Sequence, residues 1–392
     1  SHLKFKLLDY ARRFEGERKM GLESMESKRL LDAGRAFGIE GELVSYEEIS
    51  NGKVNRTFRV DYAGKDEDKD IGLESYIFQE VNTYVFKKPW EVMSNIDLVT
   101  SHIKDASQRR GVKVRCLEFL HDADDGRNFH ETGSTFWRVY RYIDSVTYNS
   151  SKNLEVVMNA GRAFGEFQKD LSDFDASKLF YTIEDFHNTP KRYETLRRDY
   201  DSDLMGRAPQ CRDEAEYLFS MQDKACVLHR LYEQRLIPVR VTHNDTKINN
   251  VLFDKDTNEA ICVLDLDTVM PGFAGHDFGD AVRSAANSMG SSSLEFDKVR
   301  IDMDIFEAFA QGYLSQTKDI LLPAELSSLA DSCLVMTLEL ATRYVDDFLT
   351  GDLYFKAKYP TQNLDRARNL IALARDMDAN MAAMHQTIDR LL

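Results

Sequence analysis

The stretch Val241-Thr-His-Asn-Asp-Thr-Lys-Ile-Asn-Asn250, followed by Ile261-Cys-Val-Leu-Asp-Leu-Asp267, organises the reading of this chain. It reads His-x-Asp-x-x-x-x-Asn, then a short apolar run closed by Asp265. A phosphoryl-transfer site needs these parts: one carboxylate against the attacking hydroxyl, and an Asn and a second Asp to hold Mg²⁺ on a nucleotide. Asp245, Asn250 and Asp265 supply them in order. The transferred phosphoryl carries the charge to be stabilised, so the chemistry asks for a positioned base and a metal clamp rather than a covalent nucleophile.

The spacing predicts local structure as well. Pro238–Thr242 reads as a strand entering a tight loop, Val251–Phe253 as a short strand, Asp254–Glu259 as a turn and Ile261–Leu264 as a second strand. That hairpin brings Asp265 back beside Asn250, and two oxygen ligands facing one cation suit Mg²⁺. The competing reading is a plain hairpin flanked by turn-favouring Asp and Asn. Asp267 shares a face with Asp265 if the strand continues, as a second metal ligand or a group supporting one. Asp277-Phe-Gly279 matches the Asp-Phe-Gly motif of protein kinases in letters only. It lies too far past the loop and follows no strand. It is expected to start a helix, with Asp277 or Asp280 as a cap or first-turn charge.

The chain has 392 residues, which suggests two domains, and 43% hydrophobic residues, ample for folded cores. A formal net charge of −15 argues against nucleic acid or an anionic membrane as partner. The five cysteines are scattered, without Cys-x-x-Cys spacing, so no disulfide framework or zinc site is implied and a reducing, cytoplasmic setting is expected. There is no run of eighteen apolar residues and no visible signal peptide. Nothing in the sequence specifies an oligomer.

Residues 1 to about 40 read as helical, with Leu7, Leu8, Ala11 and Phe14 on one face and Leu30, Leu31, Ala33 and Phe37 suggesting another. Strands are expected at Leu43–Ile49, Arg56–Tyr62, Tyr76–Val81, Val114–Leu120 and Thr135–Ile143, with a helix at Pro89–Gln108 and turns at Gly64–Asp70 and His121–Glu131. From Asn153 the pattern turns helical. Gly161 and Gly165 allow close packing in the first stripe. Later helices are expected at Lys191–Tyr200, Asp213–Gln234, Asp280–Ala286, Asp304–Gln316, Ala324–Leu349 and Leu364–Leu391, with Ala285–Ser293 a flexible connector. The expected fold is α+β and bilobal: a small β-rich lobe over 1–143 and a large, mainly helical lobe over 144–392.

Between the first two strands lies Ile49-Ser-Asn-Gly-Lys-Val-Asn-Arg-Thr-Phe58. A tight loop here lets backbone amides approach phosphates. Asn51, Gly52, Lys53, Val54, Asn55 and Thr57 are the expected ATP-binding residues, although Asn-Gly between strands is also an ordinary hairpin turn. Neither Gly-x-Gly-x-x-Gly nor a Walker A motif is present. Protein kinases place a Lys on the third strand. Here Ser75-Tyr-Ile-Phe-Gln-Glu-Val-Asn82 has Gln79 at that place. Either Gln79 does a weaker version of the job, or Mg²⁺, Lys53 and loop amides hold the phosphates.

Taken together, these residues resemble the aminoglycoside phosphotransferase and choline kinase superfamily, and within it the N-acetylhexosamine 1-kinase family. The resemblance spans nearly the whole chain. It rests on the Asn51–Phe58 loop, on Ile77-Phe-Gln-Glu-Val-Asn82 with Val85-Phe86 and Pro89, on Thr242–Phe253 and on Leu264–Gly272. It rests also on Glu339-Leu-Ala-Thr-Arg-Tyr-Val-Asp-Asp-Phe-Leu-Thr-Gly-Asp-Leu-Tyr-Phe355 with Asn363–Arg368. The resemblance implies a protein-kinase-like fold, ATP and Mg²⁺ as cofactors, and a small-molecule sugar as substrate. It makes the missing strand lysine a family trait. It implies that Arg343 and Tyr354 contact the acetylated sugar while Asp245 meets its anomeric hydroxyl. The residues themselves are compatible, since a neutral ring wants a bidentate donor and an aromatic face. Arg343 could instead pair with Asp346 or Asp347 on its helix, and Tyr354 could be core. A cationic alcohol would want acidic and aromatic groups, and Asp346, Asp347 and Asp352 leave that choice open. His243 is expected to orient the loop or to shuttle protons, and Lys247 to reach the phosphoryl or face solvent. The rivals are a kinase for homoserine, choline or an aminoglycoside, a regulatory pseudokinase, and a metallohydrolase built on His243, Asp245, Asp265, Asp267 and His276.

Overall fold

The computed structural model describes residues 25–49, 54–64 and 72–392. Leu7, Leu8, Ala11 and Phe14 lie outside the described residues, as do Asn51, Gly52 and Lys53. The chain divides into two compact units. The first holds the described residues up to Asp97 together with Leu117–Asp144; the second holds Leu98–Cys116 and everything from Ser145. The stretch 98–116, placed by sequence in the small lobe, therefore clusters with the second unit.

The first unit is a helix, Met25–Ala36, against a five-stranded antiparallel sheet. Its strands are β1 (Glu42–Glu48), β2 (Arg56–Ala63), β3 (Leu73–Glu80), β4 (His130–Thr132) and β5 (Thr135–Arg141), in the order β1-β2-β3-β5-β4. Alternation sorts the side chains. Phe58, Val60, Phe78, Trp137 and Val139 point to one face and form a core with Leu30, Ala33 and Phe37. Thr57, Gln79 and Arg138 fall on the other. The expected strand at Val114–Leu120 does not form; Phe119 makes a single bridge to Tyr140. The fifth strand is instead His130–Thr132, inside what reads as a charged turn, where it pairs with the start of β5.

The second unit is helical. Leu154–Asp170 is capped by Asn153, whose side chain accepts from the Glu155 amide at 3.0 Å. It packs on Met303–Thr317 at backbone distance: a Cβ on Gly161 would stand 2.3 Å from the Phe309 carbonyl oxygen. Leu329–Thr350 is the central helix, packed against Thr189–Ser202, Arg212–Ala225, Ala274–Ala285 and Gln362–Ala379. Three expected long helices are each broken in two, at Cys226, Ser328 and Asn380. Their ψ angles of 9°, 3° and 7° leave the helical range at single residues that are neither Gly nor Pro. The expected connector Ala285–Ser293 is pinned: Asn369 donates to the Gly290 and Ser293 carbonyls and accepts from Asn287. Among the described residues no helix is long and apolar enough to cross a membrane.

Candidate active site

Two small two-stranded ladders of the second unit build the site. β6 (Arg240–Thr242) pairs with β9 (Met270–Gly272), and β7 (Val251–Phe253) with β8 (Ala260–Val263). The loop between β6 and β7 carries His243, Asp245, Lys247 and Asn250. Asp245 is half-buried. Its Oδ2 accepts from Asn250 Nδ2 at 3.0 Å, and its Oδ1 lies 2.8 Å from Lys247 Nζ. Burial opposes charge on Lys247, but Asp245, followed by Asp280, outweighs it and raises the ammonium pKa above its ordinary value.

The backbone on either side of Asp245 is held by fixed partners. His243 is buried, edge-on to Phe164 and Phe167 at 5.6 and 5.8 Å. Its Nδ1 accepts from the Asp245 amide at 3.2 Å and its Nε2 lies 2.7 Å from the Leu264 carbonyl, which selects the Nε2–H tautomer. Asn244 adopts φ 66°, left-handed backbone that turns the chain toward Asp245. Its side chain donates to the Thr268 carbonyl at 2.9 Å.

Asp277 anchors the loop from behind. Its two carboxylate oxygens each accept one amide at 2.8 Å, from His243 and from Asn244. Burial pushes this carboxyl up to about 6 against those bonds. The helix it sits on begins at Ala274, six residues before the expected start, with Phe273 as cap. Asp277 is a first-turn charge, as one of the two sequence readings had it. Asp280 on the same helix pairs with buried Arg283 at 2.7 Å. Gly279 answers to packing: a Cβ there would stand 2.2 Å from the Ser332 carbonyl oxygen.

The hairpin returns Asp265 as expected. The Leu264 amide donates to the Asn250 carbonyl at 2.7 Å, next to the Val251–Val263 pair. Asp265 is exposed and left-handed at φ 56°. The strand does not continue past it. Leu266–Thr268 is a 3₁₀ turn, so the shared face expected for Asp265 and Asp267 is lost, and Asp267 is only 5% exposed. The Asn250 amide nitrogen is committed to Asp245, which turns its carbonyl oxygen away. That oxygen and the Asp265 carboxylate are hard donors of the kind Mg²⁺ takes alongside water and phosphate. Among the described residues no group of three or more His, Cys, Asp or Glu side chains forms a metal cage. His276 takes the Phe273 amide on Nδ1, so the histidines proposed for a metallohydrolase serve the backbone.

In the first unit, Asn55 accepts from the Asn82 amide at 2.9 Å, and Asn82 donates to the Val54 carbonyl. Thr57 accepts from Gln79 Nε2 at 3.1 Å, and Gln79 Oε1 accepts from Arg138 Nε at 2.8 Å. The sequence reading missed Arg138. Its signal was an arginine between Trp137 and Val139 on a strand whose pattern calls for burial.

Arg343 lies among three rings, 5.4 Å from Phe186, 5.4 Å from Tyr354 and 5.3 Å from Phe355. Tyr354 is 65% exposed and not core. Asp347 is occupied by the Tyr354 and Phe355 amides, both at 2.8 Å, and by Asn363. Asp352 pairs with Arg207 at 2.7 Å. Burial, and then Asp199 beside it, push Asp346 up to about 7. Two further groups escaped the sequence reading. Arg192 donates to the Phe186 carbonyl. Buried Glu339 accepts from His187 at 2.6 Å and Thr189 at 2.7 Å.

The phosphotransferase enzyme family matches residues 103–317, more than half of the sequence, and the chain belongs to that family. Solved structures of similar fold include a microcompartment-associated aminopropanol kinase, with TM-score 0.59 and 16% identity over 92% of this chain and 98% of that one. A spectinomycin phosphotransferase in complex with ADP and spectinomycin matches at TM-score 0.55 and 14% identity, covering 90% and 98%. An aminoglycoside phosphotransferase from Alicyclobacillus acidocaldarius matches at 0.54 and 12%, covering 89% and 93%. The small antiparallel sheet and the helical second unit are those of the protein-kinase-like fold.

Proposed function

We propose that this phosphotransferase moves the γ-phosphoryl group of ATP to the anomeric C1 hydroxyl of an N-acetylhexosamine, N-acetylglucosamine or N-acetylgalactosamine, giving the sugar 1-phosphate and ADP. The observation that carries the phosphoryl-transfer reading is Asp245 held between Asn250 and Lys247. Asp245 accepts the hydroxyl proton as the oxygen attacks phosphorus and the bond to the ADP oxygen breaks. Lys247 faces the charge on the transferred group. His243, with both ring nitrogens engaged, positions the Asp245 backbone and shuttles no proton. Asn250 and Asp265 would hold Mg²⁺, with Asp267 buried beside them in sequence. The metal, when bound, neutralises phosphate oxygens. Val54, Asn55, Thr57 and Gln79, together with Asn51, Gly52 and Lys53, are the proposed nucleotide contacts. ADP in the similar spectinomycin phosphotransferase supports a nucleotide donor.

The substrate class rests on Arg343 among its rings and Tyr354 exposed beside it. Two of the three carboxylates that could have served a cationic alcohol are otherwise engaged, and burial pushes the third, Asp346, up to about 7. Asp347 and Asp352 hold backbone and arginine, and Asp346 faces Asp199. This favours a neutral sugar over choline, an aminoglycoside or another amino alcohol, although the likeness in fold to an aminopropanol kinase keeps the second reading worth testing. The test is ADP release with ATP and Mg²⁺ against N-acetylglucosamine, N-acetylgalactosamine, glucose, galactose, aminopropanol, choline, homoserine and kanamycin. Turnover on the N-acetylated sugars, yielding an acid-labile phosphate, is expected. Turnover on an amino alcohol alone would overturn the sugar assignment and keep the chemistry.

A further inference from the structure

A second cation stands at the ring cluster around Arg343. Arg343 lies over the Phe186 ring at 5.4 Å, and Arg192 donates from Nη2 to the carbonyl of that same residue at 3.2 Å. Arg192 comes from Thr189–Ser202 and Arg343 from Leu329–Thr350, two helices packed on each other. Among the described residues neither guanidinium has a carboxylate partner, and Arg192 Nε is buried with no hydrogen bond. The carboxylates around them are spent or weakened. Glu339 serves His187 and Thr189, Asp185 serves Lys191 and Asn188, and burial followed by Asp199 pushes Asp346 up to about 7. Burial, and then the charge of Arg343, lower the Arg192 pKa, as befits two cations set against each other. Arginine stays protonated all the same, so the repulsion persists. Arg192, Arg343 and Phe186 are half-buried and Tyr354 is exposed, so solvent reaches the cluster.

We infer that Arg192 is a specificity-determining residue of the acceptor site: together with Arg343 it rejects acceptors that carry a protonated amine and admits neutral, N-acylated ones. The inference rests on the sugar reading above, in which Arg343 meets the acetylated substrate. Acetylation removes the charge from the C2 nitrogen of a hexosamine and adds a carbonyl oxygen that accepts from a guanidinium. A free amino sugar brings an ammonium to the same place, against two cations. Like charges within about 10 Å at a half-buried site cost on the order of 10-fold in binding. The site then selects by repulsion of the wrong acceptor as well as by contact with the right one.

The experiment compares kcat/KM for N-acetylglucosamine, glucose and glucosamine, read as ADP release, with thermal melting of each variant. Glucose and glucosamine both lack the acetyl group and differ at C2 in a hydroxyl against an ammonium, so their ratio isolates the charge. In wild type, glucosamine should fall below glucose by about 10-fold or more. Arg192→Gln keeps a donor for the Phe186 carbonyl and removes the charge. It should raise the glucosamine-to-glucose ratio by about 10-fold. Arg192→Lys, which keeps the charge, should leave the ratio within a few-fold of wild type. A merely structural role would lower all three sugars together and leave the ratio unmoved. An unmoved ratio in folded Arg192→Gln would overturn the inference and keep the sugar reading. So would wild type that takes glucosamine as well as glucose, a measurement that carries the test if Arg192→Gln fails to fold. Wild type that turns over no sugar, or only an amino alcohol, would overturn the sugar reading and this inference with it.

Discussion

Residues 242–250 and residues 339–355 both present functional side chains, and they are held in opposite ways. The first stretch is fixed through its backbone. Asp277 takes two of its amides, Thr268 donates to the His243 carbonyl, and Leu264 donates to that of Asn250. The second stretch is fixed through its own carboxylates, one of them paired with residues far along the chain. His187 and Thr189 close on Glu339 across 152 and 150 residues, and Asp347 gathers the amides of Tyr354 and Phe355. The difference suits the tasks. A base must be held to within tenths of an ångström of a reacting oxygen, and hydrogen bonds to its backbone do this without drawing on the side chains that react. A specificity surface needs only a shaped patch, which packing can present and sequence change can retune.

The contrast can be broken most sharply at Asp245. Asp245→Asn keeps the shape and the Asn250 contact but removes the proton acceptor. Turnover should fall by more than ~10²-fold with melting temperature and nucleotide affinity near wild type. Near-full kcat in that variant would remove Asp245 from the chemistry. Arg343→Met should act in the other register. It leaves three aromatic rings without their cation, so kcat/KM for the N-acetylated sugars should drop by roughly 10-fold, about one charge-assisted contact, and chiefly through KM. An equal fall in kcat with KM unmoved would place Arg343 with the reacting atoms and erase the distinction.

The same contrast explains what the sequence could show. The catalytic loop, the hairpin behind it and the return of Asp265 depend on contacts within about 35 residues, most of which spacing can reveal. β1, β2, β3 and β5 were legible from alternation, and Leu154–Asp170 and Met303–Thr317 from helical period. β4 was not, because three residues in a charged stretch form a strand only by pairing with β5. The breaks at Cys226, Ser328 and Asn380 carry no Gly or Pro signal; tertiary packing sets them. The face shared by Asp265 and Asp267 was misjudged because nothing local announces the 3₁₀ turn that ends the strand's alternation. Asp277 was legible as a helix-start charge, but its hold on the His243 and Asn244 amides required knowing which helix end faces the loop. The Glu339 clasp joins residues too distant for any pattern to link.

That clasp offers the smallest effect on turnover and the cleanest effect on stability. Burial alone would push the Glu339 carboxyl up; the paired His187 outweighs this and holds it at about 2. A carboxyl depressed in the folded protein binds fewer protons there than in the unfolded chain. Its contribution is therefore complete above the ordinary value near 4.5 and lost as pH falls toward 2. The shift corresponds to about 3 kcal/mol. Glu339→Gln should lower stability at pH 7 by an amount of that order and flatten the loss of stability between pH 4.5 and 2, read from denaturant midpoints across that range. Because the clasp holds Phe186 beside Arg343, the variant should also raise KM for the sugar while leaving kcat within a few-fold. A wild-type acid slope persisting in Glu339→Gln would mean that other carboxylates set it, and that residues 339–355 are held by packing without the help of this charge.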